Sequence, residues 1–371
     1  MLRKIFTVFA VALLLMSSAI VFAGETATTE GPSVSVGGHI KMTLFDRPVA
    51  TMRGANGSQV GIEKSYGIGF RELDLFIDAK INEWLSFEVD PKFSASSGAT
   101  PKLVTYTAAA ATTGTDYVFS AFGHGKACMI VKLPMDFEMQ VGQVHPKFTL
   151  EYGSEMFWEE SPNGGKFATN DNLGSLHDNG IEISKSFEIS EMTLPVYMYY
   201  LNGGTELGAF DINNEPGAMI HIEPTWNGLT ALGSIYGSRY EVTEHNAWTK
   251  WSAGFMYNWE NIGIRGEFVK GKKERYKSGK DLLSEGYYVK ATYKVLPWLK
   301  LYAMQESAMD SQSGQGVDVP VRYLGSTSGF DIYLTDATMV QFQLDVEDWR
   351  TADGKASTVY TRPFLGVRST F

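Results

Sequence analysis

The chain has 371 residues, a formal net charge of −10 and one cysteine, Cys128. Such acidity argues against a nucleic-acid partner, and a lone cysteine can build neither an internal disulfide nor a cysteine-rich metal site. Many glycines (38) and aromatics (22 Phe, 18 Tyr, 8 Trp) accompany only 44% hydrophobic residues, and the apolar positions rarely fall at helical spacing.

Arg3 and Lys4 precede a mostly apolar run from Ile5 to Met16, and small residues lead up to Val21, Phe22 and Ala23. This pattern predicts a secretory signal peptide, residues 1–23, cleaved after Ala23. A transmembrane anchor would need ~20 apolar residues, more than this run supplies. Losing Arg3 and Lys4 with the leader takes the net charge of residues 24–371 from −10 to −12. No later apolar stretch is long enough to cross a bilayer as a helix, which leaves an exported soluble protein or a closed barrel.

The apolar residues alternate instead. Leu85, Phe87 and Val89 oppose Ser86, Glu88 and Asp90; Tyr287, Val289, Ala291 and Tyr293 oppose Tyr288, Lys290, Thr292 and Lys294. Farther on, Val340, Phe342, Leu344 and Val346 oppose Met339, Gln341, Gln343, Asp345 and Glu347. A period of two predicts strands with one oily and one wet face. The connections alternate in length as well. Tight ones fall at 82–83, 134–136, 190–191, 227–228, 260–261, 297 and 335–337; long polar ones at 47–65, 94–123, 146–177, 202–215, 241–247, 273–283, 308–319 and 351–357. Seven tight turns and eight long loops imply sixteen strands in one all-β domain, residues 24–371. The expectation is a transmembrane antiparallel β-barrel with short periplasmic turns and long extracellular loops.

Trp84, Trp226, Trp259 and Trp298 all flank proposed tight turns, where they would form one aromatic girdle. The last segment alternates through Val359, Thr361, Pro363, Leu365, Val367 and Ser369 to a terminal Phe371. It resembles the C-terminal signal of outer-membrane barrels, apart from Ser369 at a position where an aromatic or apolar residue is usual. That resemblance implies recognition by the barrel-assembly machinery and insertion into outer-membrane lipid.

Three further segments, Gly69-Phe70-Arg71-Glu72-Leu73, Val141-Gly142-Gln143-Val144-His145-Pro146-Lys147-Phe148 and Asn179-Gly180-Ile181-Glu182, resemble in kind and order the phosphate-selective porin family. The resemblance implies a sixteen-stranded, homotrimeric, anion-passing pore. The arginine ladder that would carry phosphate specificity is not recognisable.

If the oily face of each strand meets lipid, the alternate residues line the lumen. Lys250, Arg265, Lys290, Lys294 and Lys300 then stand on four consecutive strands, with Arg362 and Arg368 extending a basic wall. The third long loop carries Glu151, Glu155, Glu159, Glu160 and Asp171, and in porins of this size that loop often folds inward. An acidic loop facing a basic wall would set a transverse field at a constriction. The same charges would equally serve to solvate a water-filled lumen, and lumen carboxylates (Glu72, Asp74, Asp78, Glu88, Asp90, Glu182, Asp345) are as numerous as the cations.

Other signals point to no chemistry. Asp211 to Glu215 has oxygen ligands near calcium-loop spacing but lacks the loop's glycine and terminal glutamate. Asn56-Gly57-Ser58 is a formal glycosylation sequon, and Cys128 reads as a small filler within a strand. His39, His124, His145, His177, His221 and His245 are scattered, and no zinc, nucleophile-elbow or phosphate-loop motif is present. No cofactor and no enzyme activity are expected, although a Ser/His pair meeting across strands would escape any motif. The expected function is diffusion of small hydrophilic solutes and ions, inorganic anions among them. The alternative is a structural or adhesive barrel without an open channel, or a soluble exported sandwich.

Overall fold

The computed structural model describes residues 32–46, 49–53, 59–63, 69–94, 126–150, 178–202, 216–240, 246–275, 280–312, 321–351 and 357–371. The expected signal peptide, residues 1–23, lies outside them. Apart from one 3-10 turn at Pro134–Asp136, every regular element described is a strand.

Four strands are each interrupted once: β1 (Ser33–Asp46 and Val49–Arg53), β2 (Gln59–Glu63 and Gly69–Lys80), β3 (Leu85–Val89 and Lys92–Ser94) and β8 (Gly217–Ile222 and Thr225–Trp226). Between them run β4 (Ala127–Leu133), β5 (Phe137–Val144), β6 (Asp178–Ile189) and β7 (Met192–Leu201). Then follow β9 (Leu229–Tyr240), β10 (Asn246–Trp259), β11 (Ile262–Arg275) and β12 (Lys280–Leu296). The last four are β13 (Leu299–Gln312), β14 (Val321–Tyr333), β15 (Thr338–Thr351) and β16 (Ser357–Thr370). Each strand is antiparallel to its chain neighbours, and β1 pairs with β16 from His39↔Thr370 to Asp46↔Phe364. The sheet is thus a closed sixteen-stranded barrel without a free edge.

The seven tight turns lie where the alternating pattern predicts them. Asn227 and Gly228 have φ of 47° and 77°, the two left-handed residues of a type I′ hairpin, whose twist matches that of the flanking strands. The long connections are shorter than expected at three places. Strand runs through Val49–Arg53 and Gln59–Glu63, β11 reaches Arg275 while β12 begins at Lys280, and β13 reaches Gln312. Beyond the apolar band both faces of a strand meet water, so the hydropathy alternation fades while the hydrogen-bonded ladder continues. Outward ion pairs such as Lys270–Glu285 (3.6 Å) and Lys272–Asp281 (3.1 Å) mark that zone.

Burial is inverted relative to a water-soluble fold. On β12, Tyr287 and Val289 are 43% and 48% exposed, whereas Tyr288 and Lys290 between them are 1% and 2% exposed. Apolar side chains therefore cover the outside and polar ones the inside, the arrangement of a lipid-spanning barrel. Trp84, Trp226, Trp259 and Trp298 are each about half exposed at the tight-turn rim, as a girdle requires. No helix among the described residues is long and apolar enough to cross a membrane, so crossing falls to the strands. One glycine is fixed by the close approach of two strands. Gly142 on β5 has φ of 135°, and a Cβ there would meet the Ala127 carbonyl oxygen at 2.4 Å.

Candidate functional site

Strand alternation points every second residue inward, which places Lys250, Arg265 and Lys290 on neighbouring strands β10, β11 and β12, all buried. Arg265 stands directly opposite Lys290 in the ladder. Like charges so paired repel and concentrate positive potential on this side of the interior. Lys300 on β13 joins the group and reaches Asp331 at 3.6 Å. Lys294 follows the same inward row but is exposed, at the last regular pair before a bulge and the turn, so it belongs to the rim and not to the packed wall. Arg362 lies opposite Asp345 on β15, and Arg368 opposite Lys41 on β1. These two form no continuous wall with the other five, because β14 and β15 intervene with Asp331, Gln341 and Asp345.

The interior cations lie against aromatic rings. Lys250 Nζ is 4.3 Å from the Trp248 ring centre and 5.5 Å from that of Phe148, Lys273 is 4.2 Å from Trp248, and Lys290 is 5.3 Å from Tyr302. Each ring presents its electron-rich face to an ammonium in partly water-excluded surroundings.

The described beginning of the third long loop runs inside the barrel, and Phe148 is 0% exposed. Its carbonyl accepts hydrogen bonds from Ser234 Oγ (2.8 Å) and Ser252 Oγ (2.7 Å), and the Leu150 amide donates to Glu267 Oε2 (3.1 Å). The Lys147 amide donates to Tyr199 OH (3.2 Å), and its ammonium to Tyr197 OH (2.9 Å). Burial opposes charge on Lys147, but the Tyr197 bond and the Glu223 carboxylate outweigh it and hold the group above the ordinary lysine range. Segment 145–150 therefore lies along the inner wall of β7 to β11. The loop acids Glu151, Glu155, Glu159, Glu160 and Asp171 lie outside the described residues.

Carboxylates nonetheless face the cations from the wall itself. Asp74 and Asp78 on β2, Glu88 and Asp90 at β3, Glu138 on β5 and Glu182 on β6 occupy inward positions about half the circumference away from β10 to β13. They are partly neutralised, since Lys126 pairs with Glu88 at 2.5 Å and Asp74 is bonded to His39 and lies 3.7 Å from Lys41. Cys128 is buried among them with Gln140 Oε1 at 3.8 Å, a filler position as expected.

Two interior features went unread in the sequence. Phe148, Tyr199, Tyr236, Trp248, Tyr288 and Tyr323 join one buried cluster inside the barrel. For the five strand residues parity was a usable signal, because each sits on the inward row of its strand; Phe148, after the end of β5, had none. The second is a Ser/His pair across strands: His221 Nδ1 is 2.6 Å from Ser234 Oγ, and His221 Nε2 is 3.3 Å from Glu223 Oε1. The order Ser–His–Glu is that of a nucleophile, base and acid, but Ser234 donates its proton to the Phe148 carbonyl, so the group as built is a clamp. Among the described residues no group of three or more His, Cys, Asp or Glu is placed to hold a metal ion.

No family model and no curated protein matches the chain. Solved structures do. The outer membrane channel DcaP of Acinetobacter baumannii aligns with a TM-score of 0.60 at 13% identity, over 94% of this chain and 100% of that one. OmpT, an outer membrane protein of Vibrio cholerae, in its trimer form gives 0.56 at 13%, over 92% and 100%. An anion-selective porin from Comamonas acidovorans gives 0.56 at 14%, over the same shares. The fold is that of a bacterial outer-membrane porin. None of these three is described as phosphate-selective.

Proposed function

We propose that this protein is a porin of the bacterial outer membrane whose lumen passes small hydrophilic solutes and ions by passive diffusion, with a preference for inorganic anions. One observation carries the reading: Lys250, Arg265 and Lys290 are buried on adjacent strands inside a closed sixteen-stranded barrel, with the β2 to β6 carboxylates across from them. Sixteen strands leave bore for water, whereas about eight leave almost none. A cationic wall stabilises a passing anion, and a field between unlike walls orients dipolar solutes and disfavours apolar ones. The likeness to an anion-selective porin supports the ion preference, and the trimer form of OmpT supports a homotrimer. In this reading residues 1–23 are an export signal removed after Ala23, Phe371 is read by the barrel-assembly machinery, and the outward apolar band contacts lipid.

A structural or adhesive barrel closed by its own side chains is the second reading, favoured by the aromatic cluster around Phe148. Liposome swelling separates the two. Proteoliposomes placed in isotonic neutral sugars are expected to swell, more slowly as the sugar grows. No swelling with the smallest sugar would support the closed barrel.

A further inference from the structure

One row of the ladder carries charge along the outer face, beyond the apolar band. From β11 to β15 its successive partners are Lys270, Glu285, Met309, Arg322 and Arg350. Lys270 and Glu285 pair with each other at 3.6 Å, so that end of the row is neutral. The other end sets two arginines directly opposite one another. Both are exposed on the outward rows of their strands, whereas Tyr323 and Trp349 beside them turn inward, with ring centres 4.7 Å apart. Like charges so placed push the two strands apart unless an anion lies between them.

A single carboxylate answers part of this charge. Asp348 Oδ2 accepts from Arg350 Nε at 2.7 Å and from a terminal nitrogen of the same guanidinium, which fixes that fork. Two arginines against one aspartate leave a positive charge over, and Arg322 has no hydrogen bond or ion pair among the described residues. Cβ atoms directly opposite in a ladder are ~5 Å apart, so both forks can reach one tetrahedral anion. The side chains beneath the pair point to the source of that anion. Toward the tight-turn rim, Leu324 is the next outward residue on β14 and Val346 the second on β15. Past Ser326 and Ser328, Phe330 and Phe342 stack with ring centres 5.3 Å apart. A dissolved anion would make only exposed, salt-screened contacts here. A lipid whose acyl chains lie on those apolar side chains holds its headgroup beside the arginines at high effective concentration.

We propose that Arg322 and Arg350 bind the phosphate of a membrane lipid in the leaflet on the long-loop side, Arg322 with its whole fork and Arg350 with the terminal nitrogen that Asp348 leaves. The lipid's presence there rests on the porin reading above.

The test is native mass spectrometry of the folded protein in detergent with monophosphorylated lipid A, its dephosphorylated form, or inorganic phosphate. The parent is expected to retain the phosphorylated lipid in preference, and equimolar inorganic phosphate should not displace it. Arg322→Gln with Arg350→Gln should weaken that lipid's binding about tenfold. Lys270→Gln, in the same row but already paired with Glu285, should leave it unchanged. Should the double variant fail to form a heat-modifiable barrel, Arg322→Gln alone carries the test, since it removes no bond among the described residues. Equal retention of the two lipid forms, equal binding by the arginine variant, or displacement by equimolar phosphate overturns the proposal. So does an altered oligomer with unchanged lipid binding, which would make this face a contact between copies. Conductance of the parent in a planar bilayer keeps the two readings apart. Retained lipid without current leaves the site standing and removes the channel, and current without lipid preference does the reverse.

Discussion

Deleting Phe371 is expected to prevent most of the protein from forming a heat-modifiable barrel, while replacing Asn56, outside the described residues, leaves assembly unchanged. The last residue closes the barrel physically. Gly38 N–H donates to the Phe371 carbonyl at 3.0 Å, and Phe371 N–H donates to the Gly38 carbonyl at 2.9 Å. The Phe371 ring lies over Gly38, its Cζ 2.9 Å from where a Cβ would stand. Removing it strips two backbone bonds of ~1 kcal/mol each and the ring packing from the β1–β16 seam, besides the proposed assembly signal. Refolding into detergent without cellular machinery separates the two roles. A loss confined to cells isolates the signal, and a loss in both places adds the seam. Equal barrel yields from the deletion and the Asn56 variant would remove Phe371 from the account.

Exchanging Arg265 and Lys290 together for glutamate is expected to turn the ion preference from anions to cations in dilute salt. The two are adjacent, inward and buried, so the exchange moves the charge of this part of the inner wall by four units. Screening acts over ~10 Å at 0.1 M and ~3 Å at 1 M, so the shift in reversal potential should shrink steeply in concentrated electrolyte. Lys294→Glu alone, at the exposed rim, should move it far less. Unchanged selectivity in a double variant that still folds, judged by heat modifiability, would place the selective region elsewhere.

Much of this was legible because a barrel writes its geometry into the chain with a period of two. Tyr287 to Lys294 announced one outward and one inward row, and Asn227-Gly228 announced a hairpin. The strand count followed from turn lengths alone. What stayed hidden depends on contacts between distant segments. Nothing local says that the Phe148 carbonyl meets Ser234 and Ser252, 86 and 104 residues away. Lys294 illustrates the opposite limit, since parity placed it on the inward row and the turn at 297 placed it near the strand end, but neither says how tightly an inward side chain is packed there. Arg362 and Arg368 shared the right parity too, yet parity carries no information on which part of the circumference a strand occupies.

The central claim is an open, anion-preferring lumen, and the reversal potential of the purified protein in a planar bilayer under a dilute salt gradient tests it most directly. Stepwise conductance with a reversal potential on the anion side is the predicted result. A bilayer that holds the folded barrel yet shows no current steps, or steps whose reversal potential lies on the cation side, would contradict it.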